Sequence, residues 1–109
     1  MAWLVRGEDV LCSVEVAADP SAKMKGLLGR DGLEGALLLP HCRSVHTLGM
    51  RFPIDVAFLD AEGRVVGLVA PMPRWRVGRA RWRARRVLEA EAGAFDRWQL
   101  VVGDVLEIR

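Results

Sequence analysis

"IDVAFLDAEGRVVGLVA", residues 54–70, is the stretch on which the fold turns. Its first half sets Ile54, Val56 and Phe58 on one side and Asp55, Ala57 and Leu59 on the other, the period of two that an extended strand imposes on successive side chains. "DAEG" (60–63) then places an aspartate first and a glycine last in a turn, and "RVVGLVA" returns with the composition of a second strand. A β-hairpin is expected here.

The segments on either side follow the same rule. Upstream, "AWLVR" (2–6) and "VLCSVEV" (10–16) alternate apolar with polar residues, with Val10, Cys12, Val14 and Val16 on one face and a turn at "GED" between the two strands. Asp19 followed by Pro20 makes an N-cap and first-turn pair, and Ala22, Leu27 and Leu28 stand near helical spacing before glycines intervene, so one short α-helix is expected near residues 20–29. "ALLLP" (36–40) is a buried strand ended by Pro40, and "SVHTL" (44–48) is the next. Downstream, "PMPRW" (71–75) is a proline-broken loop, "RARWRARRVLEAEA" (79–92) holds one or two more strands, and "QLVVGDVLEIR" (99–109) turns at Gly103 and Asp104 before a last strand. Many short strands, one helix and frequent glycine turns define a mainly β chain, a closed or sandwiched antiparallel domain.

With 109 residues the chain has room for a single domain, 1–109, and its 51% hydrophobic and 28% charged content is that of an ordinary globular protein. No apolar run approaches the roughly 20 residues that a helix needs to span a bilayer. "MAWLVRGEDVLCS" lacks the basic, apolar, small-residue order of a secretion signal, so a cytoplasmic setting is expected. In that reducing compartment Cys12 and Cys42 are expected as free thiols. The net charge of +2 hides an uneven distribution: "RWRVGRARWRARR" (74–86) holds seven of the sixteen basic residues and no acid, which leaves nine basic residues against fourteen acids elsewhere, a balance of −5.

Four residues carry candidate chemistry. Cys42 and His46, four positions apart on a strand, lie about 13 Å from one another, too far to share a zinc ion, and with His41 they supply three ligands at most. No metal and no other cofactor is expected. If "LGMRFP" links antiparallel strands, His46 faces Asp55, and a carboxylate that orients an imidazole is the back half of a hydrolytic triad whose nucleophile is Cys42 or, less well placed, Thr47. The alternative is that the two satisfy one another in a half-buried site, and that Asp55, just after Pro53, accepts backbone N–H groups of a loop. Glu89, in "RVLEAEAG", either pairs with an arginine or shares a polar pocket with Asp55.

The basic stretch suggests an anionic ligand. Arg74 and Arg76 stand at its start, with Trp75 between them as a surface or pocket-wall residue, while Arg79, Arg81, Arg83 and Arg85 alternate with Ala80, Trp82 and Ala84. Arginines bind phosphates bidentately and tryptophans stack on bases, which gives a polyanion or nucleic-acid reading of 74–86. The favoured reading is a solvated strand with Trp82 in the core, or an edge strand guarded by charge. Met50 and Met72 are read as packing residues.

Three stretches together resemble the DUF192 family of small bacterial and archaeal domains, also known as UPF0127: "AKMKGLLGRDGLEGALLL" (22–39), "MRFPIDVAFLDAEGRVV" (50–66), and "RRVLEAEAG" (85–93) followed by "VVGDVLEI" (101–108). Order and spacing agree over residues 17–108. The resemblance implies a jelly-roll-like β-barrel with a helix packed against it, and little about chemistry. Commoner members carry Phe-Trp-Met-Lys-Asn-Thr where this chain has "VHTLGM", so His46 replaces a tryptophan and is judged on its own physics. The sequence thus points to a binding or accessory module for a small ligand or a protein, with a hydrolase using Cys42, His46 and Asp55, or polyanion binding through 74–86, as alternatives. Candidate ligand contacts are Glu89, Arg74, Trp75 and Arg76. Whether the chain is an enzyme stays open at this level.

Overall fold

The computed structural model describes residues 2–17, 19, 27, 29–78 and 80–109. The opening stretch forms the expected hairpin: β4 (Ile54–Leu59) pairs antiparallel with β5 (Val65–Met72), with Val56 opposite Val69 and Phe58 opposite Gly67. Asp60 makes the turn, its Oδ1 accepting the N–H groups of Glu62 and Arg64 while its carbonyl accepts from Gly63. Gly63 has φ +85 and lies against the Leu106 carbonyl, so a side chain there would be strained and obstructed.

All six residues of β4 are buried because the strand is covered on both faces. Its other neighbour is β6 (Arg86–Glu91), antiparallel, with Asp55 opposite Ala90 and Val56 opposite Glu89. Two hydrophobic clusters result. One gathers Ala57, Leu59, Leu88, Ala90 and Phe95, and the other gathers Ile54, Val56, Phe58, Val87 and Met72. The period of two read from the sequence therefore sorts side chains between two cores, where a one-sided sheet would sort them between core and water.

Seven strands form one sheet in the order β5-β4-β6-β3-β2-β1-β7, with β1 at Ala2–Arg6, β2 at Asp9–Val16, β3 at Ala36–Pro40 and β7 at Glu107–Ile108. The all-antiparallel expectation is corrected at one ladder: β2 and β3 run parallel, with Val14 opposite Ala36 and Val16 opposite Leu38. Parallel neighbours need a crossover of a dozen or more residues, commonly helical, and residues 17–35 provide it. The helix expected near 20–29 falls in this crossover, almost wholly outside the described residues. The sheet is mixed and curls into a half-barrel. Its two edges meet at one end, where Arg64 bridges Val105 and Val65 donates to the Asp104 carbonyl at 2.8 Å.

A short helix that the sequence reading did not anticipate, α1 (Ala94–Trp98), follows β6. It buries Ala94 and Phe95 against the first cluster, with Phe95 and Trp98 rings 5.6 Å apart. Arg6 ties this corner to the meeting edges, donating to the Trp98 carbonyl at 2.7 Å and pairing with Asp104 at 3.1 Å. Among the described residues no helix is long and apolar enough to cross a membrane.

Candidate functional site

Among the described residues, irregular chain at 41–53 and 73–85 lies over the second face of the sheet and forms the candidate site. "SVHTL" is not a full strand; only His46 makes a bridge, antiparallel to Val77. Thr47 fixes the segment. Its side chain is fully buried, its hydroxyl donates to the Pro73 carbonyl at 2.6 Å and accepts the Arg76 N–H at 2.9 Å, and its own N–H donates to the Arg76 carbonyl at 2.8 Å. Gly78 donates to the Val45 carbonyl and Arg81 to the Arg43 carbonyl, each at 2.8 Å. The two loops are thus stitched together over the sheet, and the nucleophile role weighed for Thr47 is answered by a hydroxyl engaged with backbone on both sides.

Arg81 is the residue this arrangement displays. Its guanidinium carbon lies 4.9 Å from the Phe58 ring centroid, within cation–π range, and a Cβ placed on Gly67 would approach Nη1 to 3.0 Å. The missing side chain at Gly67 is what makes the seat. Arg81 Nε is buried and meets no acceptor among the described residues, a costly state for a donor unless a ligand relieves it. Two open clefts share this arginine as a wall. One, of about 320 Å³, is floored by Val45, Phe58, Val69 and Met72 and edged by Arg76 and Arg81. The other, of about 300 Å³, lies among Val66, Ala80, Trp82 and Arg83.

The two buried carboxylates stand on opposite faces. Asp55 is on the helix side, where its Oδ2 accepts the N–H groups of Gly93 at 3.1 Å and Phe95 at 3.0 Å. Its Oδ1 is buried without a partner among the described residues. Glu89, 3% exposed, faces the other way, between Val56 and Leu37 in the second cluster's layer. Burial pushes its carboxyl from the ordinary 4.5 up to about 7, against a smaller downward pull from Arg30, which is itself paired with Glu15 at 3.3 Å. A shared Asp55–Glu89 pocket is therefore ruled out by the pleat: positions one rung apart on adjacent strands point to opposite sides.

A family model described as DUF192, "Uncharacterized ACR", matches residues 3–108. The chain belongs to the DUF192 family. Two solved structures share its fold. A protein of unknown function from Novosphingobium aromaticivorans DSM 12444 superposes with TM-score 0.82 at 22% identity, over 97% of this chain and 82% of that one. A protein described as a putative transcription regulator from Sinorhizobium meliloti 1021 superposes with TM-score 0.80 at 24% identity, over 97% of this chain and 90% of that one. No curated protein matches the sequence.

In this DUF192 domain the sequence-predicted residues do not gather in one place. His46 is exposed, and its Nδ1 accepts the Leu48 N–H at 3.3 Å; it lies across from Val77 and not from Asp55, because the chain after Met50 leaves for β4 without closing a hairpin. Cys42 is half-buried on the second face, its Sγ donating to the Ser44 carbonyl at 3.0 Å. Asp55 takes the loop-holding role, with the sheet between it and the Cys42 side. Cys12 is a half-buried thiol that burial pushes up to about 11. Arg74, Trp75 and Arg76 are all exposed, Arg76 at the cleft edge.

Trp82, expected in the core, is 79% exposed, and residues 80–85 are irregular, with a turn at 82–83, where a regular strand was expected. Strand alternation failed there because Arg81 and Ala84 point inward in a turn geometry, Ala84 N–H donating to the Arg81 carbonyl at 2.9 Å. Arg81, Phe58, Gly67 and Val69 were missed as a group. The glycine interrupting "RVVGLVA" was the one local signal, since glycine in a strand often marks close approach of another part of the chain. Among the described residues no group of three or more His, Cys, Asp or Glu side chains is placed to hold a metal ion.

Proposed function

We propose that this DUF192 domain is a binding module for a small amphipathic anion, taken up in the cleft floored by Val45, Phe58, Val69 and Met72. The observation that carries the reading is Arg81: a guanidinium stacked on an aromatic floor, with a buried Nε that no acceptor meets among the described residues. Arg76 supports it from the rim, and neither arginine belongs to an ion pair among the described residues. An apolar pocket with a few convergent polar groups is the usual form of a small-molecule site, and about 320 Å³ suits a ligand of modest size. A carboxylate or phosphate head would take the two guanidinium groups while its apolar body covers Phe58 and Met72.

On this reading the chain is one domain, 1–109, working in the cytoplasm with both thiols reduced. Calorimetric titration with octanoate, using octan-1-ol as the uncharged control, tests it. Saturable octanoate binding that weakens about tenfold or more in Arg81→Gln, in a variant whose thermal unfolding is unchanged, is the expected result. Equal binding of octanoate by Arg81→Gln and the parent, or no saturation in either, would overturn the proposal.

A further inference from the structure

We propose that the outward side of segment 74–86 is a docking surface for single-stranded nucleic acid. The inference rests on side chains that face water and shares Arg76 with the cleft reading, while its two tryptophans and Arg83 play no part in that reading. The first observation is uncompensated charge. The five arginine–carboxylate pairs among the described residues use Arg6, Arg30, Arg51, Arg97 and Arg109, and none draws on the six described arginines of 74–86, Arg74, Arg76, Arg81, Arg83, Arg85 and Arg86. Arg74, Arg76, Arg83 and Arg85 are exposed in a stretch without a single acid, on a chain whose remainder is net negative. A protein that spreads acids through its body and withholds them from one segment concentrates positive potential there.

The second observation is the exposure of two indoles inside that charge. Trp75 is 61% and Trp82 79% exposed. Tryptophan carries a large apolar surface that folding ordinarily buries, so two such rings left in water within one basic segment mark a contact surface. The solvated-strand reading of 74–86 depended on Trp82 lying in the core, and its exposure removes that support.

Third, the segment is held in place. Trp75 donates its N–H to the Thr47 carbonyl at 3.0 Å, Arg81 is anchored to Arg43, and Arg85 Nη1 donates to the Trp82 carbonyl at 3.1 Å. The two clefts that share Arg81 put Arg76 and Val77 on one flank of it and Trp82 and Arg83 on the other. Arg76 on one side, and Trp82 with Arg83 on the other, therefore flank Arg81 on chain tied down by backbone hydrogen bonds, with less ordering entropy to lose on binding than a free tail would have.

The class of partner follows from what these groups contact. Guanidinium groups take phosphates, and a free indole face takes an unstacked base; a paired duplex hides its base faces and is read by an element entering a groove. The described helix, α1, has five residues and packs on the other side of the sheet. An acidic polypeptide would use the arginines and leave the indoles without a role.

Fluorescence anisotropy with a fluorescein-labelled oligothymidylate of about 20 nucleotides tests the proposal, read at about 50 mM and about 200 mM salt. The expected result is binding that falls steeply with salt, that weakens roughly tenfold in Trp82→Ala and in Trp75→Ala, and whose salt slope decreases by about 0.7 in Arg83→Gln. Both tryptophans are exposed, so their replacement leaves the core intact, which circular dichroism verifies. Absence of an anisotropy change at the lower salt would overturn the proposal. So would parent-like binding by both tryptophan variants, or displacement of the oligonucleotide by poly-glutamate as readily as by unlabelled oligothymidylate, since either result would reduce the surface to generic attraction for acidic chains.

Discussion

Asp55 and Glu89 sit one rung apart on neighbouring strands and are equally buried, yet the two faces of the sheet treat them differently. On the helix face Asp55 is built into the structure: one carboxylate oxygen holds the Gly93 and Phe95 amides and thereby the start of α1. On the other face Glu89 lies among Leu37, Val56 and their neighbours with no hydrogen bond among the described residues, and its carboxyl is pushed up to about 7. The first face is closed by regular structure. Among the described residues the second is covered by loops, and it carries two clefts, the unsatisfied Arg81 Nε and the exposed arginine and tryptophan segment. Each face leaves one buried polar atom without a partner among the described residues, Asp55 Oδ1 on the first and Arg81 Nε on the second, but only Arg81 borders an open cleft.

Removing packing from the helix face gives the largest expected effect. Phe95→Ala empties the centre of the first cluster and should destabilise by about 4 kcal/mol in urea unfolding. A loss below about 1 kcal/mol would show that α1 is not what closes that face.

Asp55→Ala leaves two buried amides without their acceptor and should cost about 3 kcal/mol, with Asp55→Asn recovering most of it because a carbonyl oxygen can take the same bonds. Amide hydrogen exchange at Gly93 and Phe95 locates the effect. Uniform loss of protection across the sheet, with those two amides no faster than the rest, would contradict the assignment.

Glu89 should give the opposite sign. Its folded-state pKa is raised, so the folded form holds the proton more tightly than the unfolded form does. The stability linked to this group is fully present below about 4.5, declines as pH rises, and is lost above about 7, a total of roughly 3 kcal/mol for the 2.5-unit difference. Glu89→Gln should therefore be more stable than the parent at pH 8 by about 2 to 3 kcal/mol and should lose the decline between pH 5 and 7. An unchanged pH profile in that variant would mean that Glu89 is ionised and satisfied, and the contrast between the faces would fail.

The smallest expected stability change belongs to Arg81→Gln, within about 1 kcal/mol of the parent, since the charge contributes a stacking contact while its Nε goes unsatisfied. A large destabilisation would make Arg81 a structural residue and bring the second face closer to the first.

The strands and turns were legible because they are local. Alternation along 54–59, the Asp60–Gly63 turn and the Gly103–Asp104 turn each follow from a few adjacent residues. The loop-holding option for Asp55 was also visible, from its place after a proline at the head of an apolar strand. A hairpin over "LGMRFP" would set His46 against Asp55, whereas His46 bridges Val77 and the loop leads into β4, next to the β5 edge of the sheet. Trp82 was misjudged for a related reason. A period of two assumes an extended backbone, and the hydrogen bond from Ala84 N–H to the Arg81 carbonyl breaks that assumption at the position where it mattered.

By itself, then, the sequence determined strands β1 to β5, the turns at 60–63 and 103–104, and the family to which the chain belongs, because side-chain period and turn chemistry act over a few residues. Only the tertiary structure decided that β2 and β3 run parallel, that Asp55 and Glu89 face apart, and that Gly67, Phe58 and Arg81 meet. Those outcomes depend on pairings between residues far apart in the chain, and a pairing shifted by one residue sends every side chain to the other face.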